Sequence, residues 1–132
     1  TGFAALCLRN KGKLISDNFY WLSQDGDYSF LASLPNAKLN VQAKRELRDG
    51  HPVVRVRLKN SSASPAFFIA LRVEIKEGKD ILPSFWSDNY SSLLPGESRE
   101  ITWTSDGEIP PRESLQLRLE GWNVPVRIVA LD

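Results

Sequence analysis

The chain has 132 residues, with 42% hydrophobic and 25% charged side chains. That suits one globular domain able to bury roughly two-thirds of its unfolded surface, without a metal or a disulfide to staple it. The net charge is +1, from 17 basic and 16 acidic residues with the signs interspersed. No field therefore recruits nucleic acid, and no apolar run approaches the roughly 20 residues of a membrane helix. Thr1-Gly2-Phe3-Ala4-Ala5-Leu6 lacks the parts of a signal peptide. The absence of Met leads to the expectation of a processed chain or a domain cut from a longer protein.

The dominant period is two, which places successive side chains on opposite faces of a strand. The first strands are expected at Phe3 to Arg9 and Asn18 to Leu22. Cys7, the only cysteine, falls in the first and is expected to be a small buried hydrophobe. Next, Asp27 to Pro35 breaks the pattern. Tyr28, Leu31 and Leu34 recur every third residue, which predicts a short helical turn near 27–34 that plugs one end of the fold. Asp27 would cap it and Pro35 would stop it.

Strand patterns then resume. Leu39, Val41 and Ala43 alternate with Lys38, Asn40, Gln42 and Lys44. Val54, Val56 and Leu58 alternate with Arg55, Arg57 and Lys59. A long central strand puts Phe67, Ile69, Leu71, Val73 and Ile75 on one face. Its other face starts with Phe68 and Ala70 and turns charged at Arg72, Glu74 and Lys76. Ile101 and Trp103 follow, with Trp103 assigned to the core by its alternation. Leu115, Leu117 and Leu119 alternate with Gln116, Arg118 and Glu120, and Val126, Ile128 and Ala130 close the chain. Turn signals at Asn10-Lys11-Gly12-Lys13, Asp49-Gly50, Asn60-Ser61-Ser62, Glu77-Gly78, Pro95-Gly96 and Asp106-Gly107 separate the runs. Strands at this spacing, each with one wet face, predict an all-β, immunoglobulin-like antiparallel β-sandwich over 1–132 as one domain.

Catalytic patterns are scarce. A Ser or Cys nucleophile wants a base, and His51, in the turn Asp49-Gly50-His51-Pro52, is the lone histidine. One His and one Cys make no zinc cage. Asp25-Gly26-Asp27 lacks the spacing of a calcium loop and reads as an acidic turn. The carboxylates are scattered, with no pair marked for acid–base work. No cofactor is implied. Tyr20, Trp21, Trp86, Tyr90, Trp103 and Trp122 offer aromatic faces suited to pyranose rings, although core and edge packing is the commoner use of such residues. Trp86, Tyr90 and Trp122 are the carbohydrate-contact candidates. Asn60-Ser61-Ser62 and Asn89-Tyr90-Ser91 match the N-glycosylation acceptor pattern.

Three segments carry a resemblance. They are Leu14-Ile15-Ser16-Asp17-Asn18-Phe19-Tyr20-Trp21-Leu22-Ser23; Asp27-Tyr28 through Leu31, Leu34 and Pro35; and Leu82-Pro83-Ser84-Phe85-Trp86-Ser87-Asp88-Asn89-Tyr90, continuing as Leu93-Leu94-Pro95-Gly96-Glu97-Ser98. Together they resemble the Ig-fold domain near the C-terminus of glycoside hydrolase family 2 enzymes of the exo-β-glucosaminidase and β-mannosidase type. The resemblance implies a secreted or periplasmic multidomain parent whose catalytic glutamates sit on a (β/α)8 barrel and act by retention. No position here matches either glutamate. The implied role is a non-catalytic accessory domain that supports the barrel, and the resemblance extends to a loop at the rim of its cleft. The alternatives are a stand-alone carbohydrate-binding module and an Ig-like protein-interaction domain. Within the motifs, structural roles are expected for Asn18, Tyr20, Trp21, Asp88, Asn89, Pro95 and Gly96. Asn18 and Tyr20 share one strand face opposite Phe19 and Trp21, so this strand needs cover on both sides. Asp88-Asn89 should form a bulge or turn bonded to nearby backbone.

Overall fold

The computed structural model describes residues 1–107 and 115–131, and ten strands and one 3₁₀ turn lie among them. The chain divides into two compact units, Thr1–Leu34 and Pro35–Asp132.

The first unit is a ribbon followed by a turn. Strands β1 (Gly2–Asn10) and β2 (Lys13–Leu22) pair antiparallel, with Ala4 opposite Tyr20 and Leu6 opposite Asn18. Lys11 and Gly12 join them with φ of 47° and 81°, the two positive values that match a hairpin turn to strand twist. A register shift beside Leu8 and Arg9 leaves Ile15 as the extra residue of β2. Phe3 stacks on Phe19 at 5.2 Å and meets Phe30 edge-on at 5.7 Å. The predicted helical turn is present as a 3₁₀ helix over Ser29–Ser33. Its three-residue period is that of its hydrogen bonds: Leu31 N donates to Tyr28 O (3.0 Å) and Leu34 N to Leu31 O (3.3 Å). Asp27 sits one residue ahead of the cap position, where its carboxylate accepts Ser29 N at 2.8 Å.

The second unit is the sandwich. One sheet has the order β3 (Leu39–Arg48), β4 (His51–Asn60), β8 (Ser98–Thr104), β6 (Phe85–Trp86). The other has the order β10 (Val124–Ala130), β9 (Leu115–Gly121), β5 (Ala66–Ile75), β7 (Ser91–Leu93). Every paired strand is antiparallel. Val54, Val56 and Leu58 from β4, with Ile101 and Trp103 from β8, face Ile69, Leu71 and Val73 from β5 and Leu115, Leu117 and Leu119 from β9. All are buried, as their alternation predicts. On the outer face of the first sheet, Arg55 and Arg57 reach Glu100 at 2.7 and 3.1 Å.

Three features depart from simple alternation. β5 carries an extra residue between Ala66 and Ile69, and Phe68 takes a left-handed φ of 55° there. This bulge buries Ala66 and Phe67 while turning Phe68 outward. Glu74, expected on a wet face, is buried; Gln116, its register partner, donates to its Oε1 at 2.9 Å. The Glu77-Gly78 turn folds the chain back there, so that Asp80 bridges to Glu74 and Ile81 N donates to Val73 O. Cys7, expected to be buried, is exposed, because β1 belongs to a two-stranded ribbon and not to a sandwich sheet.

Candidate functional site

The three carbohydrate-contact candidates do not form one row. Trp86 lies on β6, half-buried, paired in register with Trp103 and tilted against it at a centroid distance of 6.5 Å. Its indole helps to roof the core, which leaves only part of its face open. Tyr90 is exposed, with its ring 5.4 Å from Phe68. Trp86 and Tyr90 meet at a shallow hollow of about 180 Å³, with Arg72, Asp80, Ser84 and Asn89 among its other lining residues. Trp122 is exposed on the turn between β9 and β10, where its N donates to Phe67 O, and it is not among that lining.

The hollow's polar groups are largely committed to the fold. Asn89 Oδ1 accepts Leu71 N at 2.8 Å and its Nδ2 donates to Leu71 O at 3.0 Å. The side-chain amide thereby stands in for a strand partner on the β5 edge. The same Oδ1 accepts Tyr90 N, and Tyr90 adopts a φ of 53° beside it. Asp88 pairs with Arg99 at 2.7 Å. Leu94-Pro95-Gly96-Glu97 is a tight turn closed by Glu97 N donating to Leu94 O at 3.0 Å. Gly96 has a φ of 78°, the positive value the residue after Pro needs in such a turn. These are structural uses of Asp88, Asn89, Pro95 and Gly96. On β2, Tyr20 and Trp21 are exposed and Asn18 lies opposite Leu6.

The shifted carboxyls among the described residues are Asp25, Asp27 and Glu100, and each is pushed down. For Asp25 the first cause is the hydrogen bond from Asp27 N, followed by that from Ser23 Oγ. For Asp27 it is the bond from Ser29 N, then Ser29 Oγ. For Glu100 it is Arg55, then Arg57. A general acid needs the opposite shift, which burial against apolar groups would supply. No group of three or more metal-ligating side chains lies among the described residues. His51 is exposed at the start of β4, opposite Arg48.

The Glu100 cluster makes a prediction about pH. Its folded pKa is depressed, so its contribution to stability is present above the ordinary carboxylate range and is lost as pH falls through the lowered value. Carboxyl-detected NMR should find the Glu100 midpoint below that of a free glutamate. Arg55→Ala should move the midpoint upward; no movement would mean that the pair is not formed in solution.

Two asparagines organise the sandwich in a way the sequence does not single out. Asn60, fully buried at the end of β4, has Nδ2 donating to Ser64 O at 2.8 Å and Leu93 O at 3.0 Å. Its Oδ1 accepts Ser62 N at 3.0 Å. Asn123 is buried in the β9–β10 turn: Oδ1 accepts Phe67 N at 2.9 Å, while Nδ2 donates to Pro35 O at 2.7 Å and Pro65 O at 2.8 Å. These bonds also bear on glycosylation, since the nitrogen that would carry a glycan donates both its hydrogens inside the fold at Asn60 and is held against the Leu71 carbonyl at Asn89. After expression in a eukaryotic secretory host, mass spectrometry of the folded, soluble chain should find both sites bare. A glycan on Asn60 in that fraction would contradict the packing.

The fold and its committed polar groups define the class as an immunoglobulin-like β-sandwich. Residues 18–124 match the model of the exo-β-D-glucosaminidase Ig-fold domain, and the chain belongs to that family. It is 33% identical over 146 aligned positions to an exo-β-D-glucosaminidase of Arthroderma benhamiae, covering 96% of this chain and 16% of that protein. The crystal structure of the exo-chitosanase CsxA of Amycolatopsis orientalis superposes with a TM-score of 0.76 at 30% identity, over 90% of this chain and 17% of the other. A mannosylglycoprotein endo-β-mannosidase of Lilium longiflorum is 36% identical over 75 positions, 52% of this chain and 8% of that protein. The chain thus spans about one-sixth of the exo-glucosaminidase relatives' length.

Proposed function

We propose that the chain is a non-catalytic accessory domain of a larger exo-β-D-glucosaminidase, a retaining enzyme of glycoside hydrolase family 2 acting outside the cytoplasm. Its partner is the (β/α)8 catalytic barrel of the same polypeptide, whose position it supports. One observation carries the reading: nearly all of this chain aligns with about one-sixth of such an enzyme. The resemblance of the Asn18-Phe19-Tyr20-Trp21 and Trp86-Ser87-Asp88-Asn89-Tyr90 segments supports the family 2 assignment, and with it retention.

A second reading, a sugar-binding module, is favoured by the hollow that Trp86 and Tyr90 share. Calorimetric titration of the chain with chitosan oligosaccharides separates the two. Heats equal to buffer dilution are expected for a supporting domain. Micromolar affinity that disappears in Trp86→Ala would replace it with the sugar-binding module.

A further inference from the structure

The two sheets of the sandwich end in β6, β7, β3 and β10, and three of these edges are blunted against further pairing. β6 and β7 have two and three residues, too few to hold another strand. β3 has ten residues but is charged. Lys44, Glu46 and Arg48 lie on its outer face, and Arg45, opposite the core residue Val54, sets a cation on its inner face. An approaching strand would have to strip water from those charges.

β10 is the exception. Among the described residues it pairs with β9 alone, and its seven residues are apolar on both faces. Val124 and Val129 pack on the core, whereas Val126 and Ile128 are 52% and 53% exposed. The register shift between Val124 and Arg127 turns those two outward, and it also takes up Pro125, which has no N–H to offer an edge. The one charge of the strand is drawn aside: Arg127 Nη1 donates to Leu39 O on β3 at 3.0 Å. A groove of about 430 Å³ runs along the same side between β3 and β10, so the edge lies open.

We propose that this edge pairs with β10 of a second copy of the chain, antiparallel about a twofold axis at Ile128. The two four-stranded β10-β9-β5-β7 sheets then become one continuous sheet. The segment is complementary to itself in that register. Ile128 meets its own copy, Val126 meets Ala130 and Arg127 meets Val129, so no like charges face each other. Val126 and Ile128 gain cover from the same contact. Assembly stops at two copies, because the far edge of each sheet is the three-residue β7. A charged peptide suits the edge less well, since its only cation is already bonded to Leu39 O. The pairing needs the sandwich alone and is independent of the proposed glucosaminidase parent.

Sedimentation equilibrium tests it. The mass should rise from one chain to two between about 1 µM and about 1 mM, the range for an interface this small. Ile128→Lys sets two ammonium groups against each other at the axis and should keep the chain single, as should Ile128→Glu. Ile128 is exposed, so both variants should melt at the wild-type temperature. An equal mixture of the two should pair again, and less tightly as salt is added. In the wild type, the β10 amides should exchange more slowly as the dimer forms. A wild-type chain that stays single at the highest concentration would overturn the proposal. So would a dimer that survives Ile128→Lys, a lysine–glutamate mixture that stays single, or association that runs past two copies. Should either variant misfold, exchange in the wild-type dimer still decides, because β10 amides that do not slow overturn the pairing. A polypeptide of the relatives' length should pair as well; if it stays single while the 132-residue chain pairs, another of its own segments covers the edge and the proposal falls.

Discussion

Replacing Trp103 by alanine is expected to be the most damaging single change in the sandwich. The indole is fully buried between the two sheets and is among the largest side chains sealed from solvent. It packs on Trp86, and its Nε1 donates to Ser84 Oγ. Truncation removes the transfer free energy of the ring, leaves a cavity that the strands cannot collapse into, and strands the Ser84 hydroxyl. Such losses cost about 3–5 kcal/mol, a large part of the roughly 5–15 kcal/mol that holds a domain together. For a unit near a hundred residues this corresponds to a fall in Tm on the order of 15 °C. Thermal unfolding followed by circular dichroism checks it. Trp103→Phe, which keeps most of the volume and loses the hydrogen bond and part of one ring, should cost less. A change below about 1 kcal/mol for the alanine variant would mean that the indole is not the keystone of this core.

Asn123→Ala is expected to come close, through hydrogen bonding and not through volume. One amide accepts from Phe67 N and donates to the carbonyls of Pro35 and Pro65. It ties the β9–β10 turn to the start of β5 and to the chain entering β3. Alanine leaves all three groups short of a partner, at about 1–3 kcal/mol for each one that stays dry. A total loss of about 3 kcal/mol is the expected result in urea denaturation. Asn123→Asp sharpens the test. The carboxylate still accepts from Phe67 N but cannot donate to two proline carbonyls, so it should be nearly as harmful as alanine. An aspartate variant of native stability would show that the two donor bonds contribute little.

The layers of the sandwich were readable because a half-buried strand writes its two faces in alternate letters. Val54, Val56 and Leu58 against Arg55, Arg57 and Lys59 fixed which side of β4 faces inward, and Trp103 was placed in the core by the same logic. What alternation does not encode is which sheet a strand joins. Phe19 and Trp21 announced an apolar face on β2, but not that β2 pairs only with β1 among the described strands. The exposed Cys7 follows from that omission. β6 and β7, with two and three residues, are too short to show any period. The bulge in β5 depends on a left-handed Phe68, a conformation that a phenylalanine does not advertise.

Site residues were legible unevenly, for a related reason. Asn89 and the Pro95-Gly96 turn could be read because their chemistry is local: an Asx side chain beside a turn, and a Pro-Gly pair before a strand. Asn60 and Asn123 bond to groups far away in the chain, such as Leu93 and Pro65, and nothing in the neighbouring residues marks them off from solvated turn asparagines. Trp86 and Tyr90 came together at one hollow because a short edge strand and the loop after it bring them there, whereas Trp122 sits at the β9–β10 turn.

Hydrolysis of an aryl β-D-glucosaminide by the 132-residue chain is the most direct test of the proposed non-catalytic role. Release of the chromophore should equal the buffer blank, because the chain aligns with only about one-sixth of an exo-β-D-glucosaminidase and the proposed catalytic barrel lies outside it. Turnover above that blank, abolished by exchanging a single aspartate or glutamate of this chain for its amide, would contradict the account.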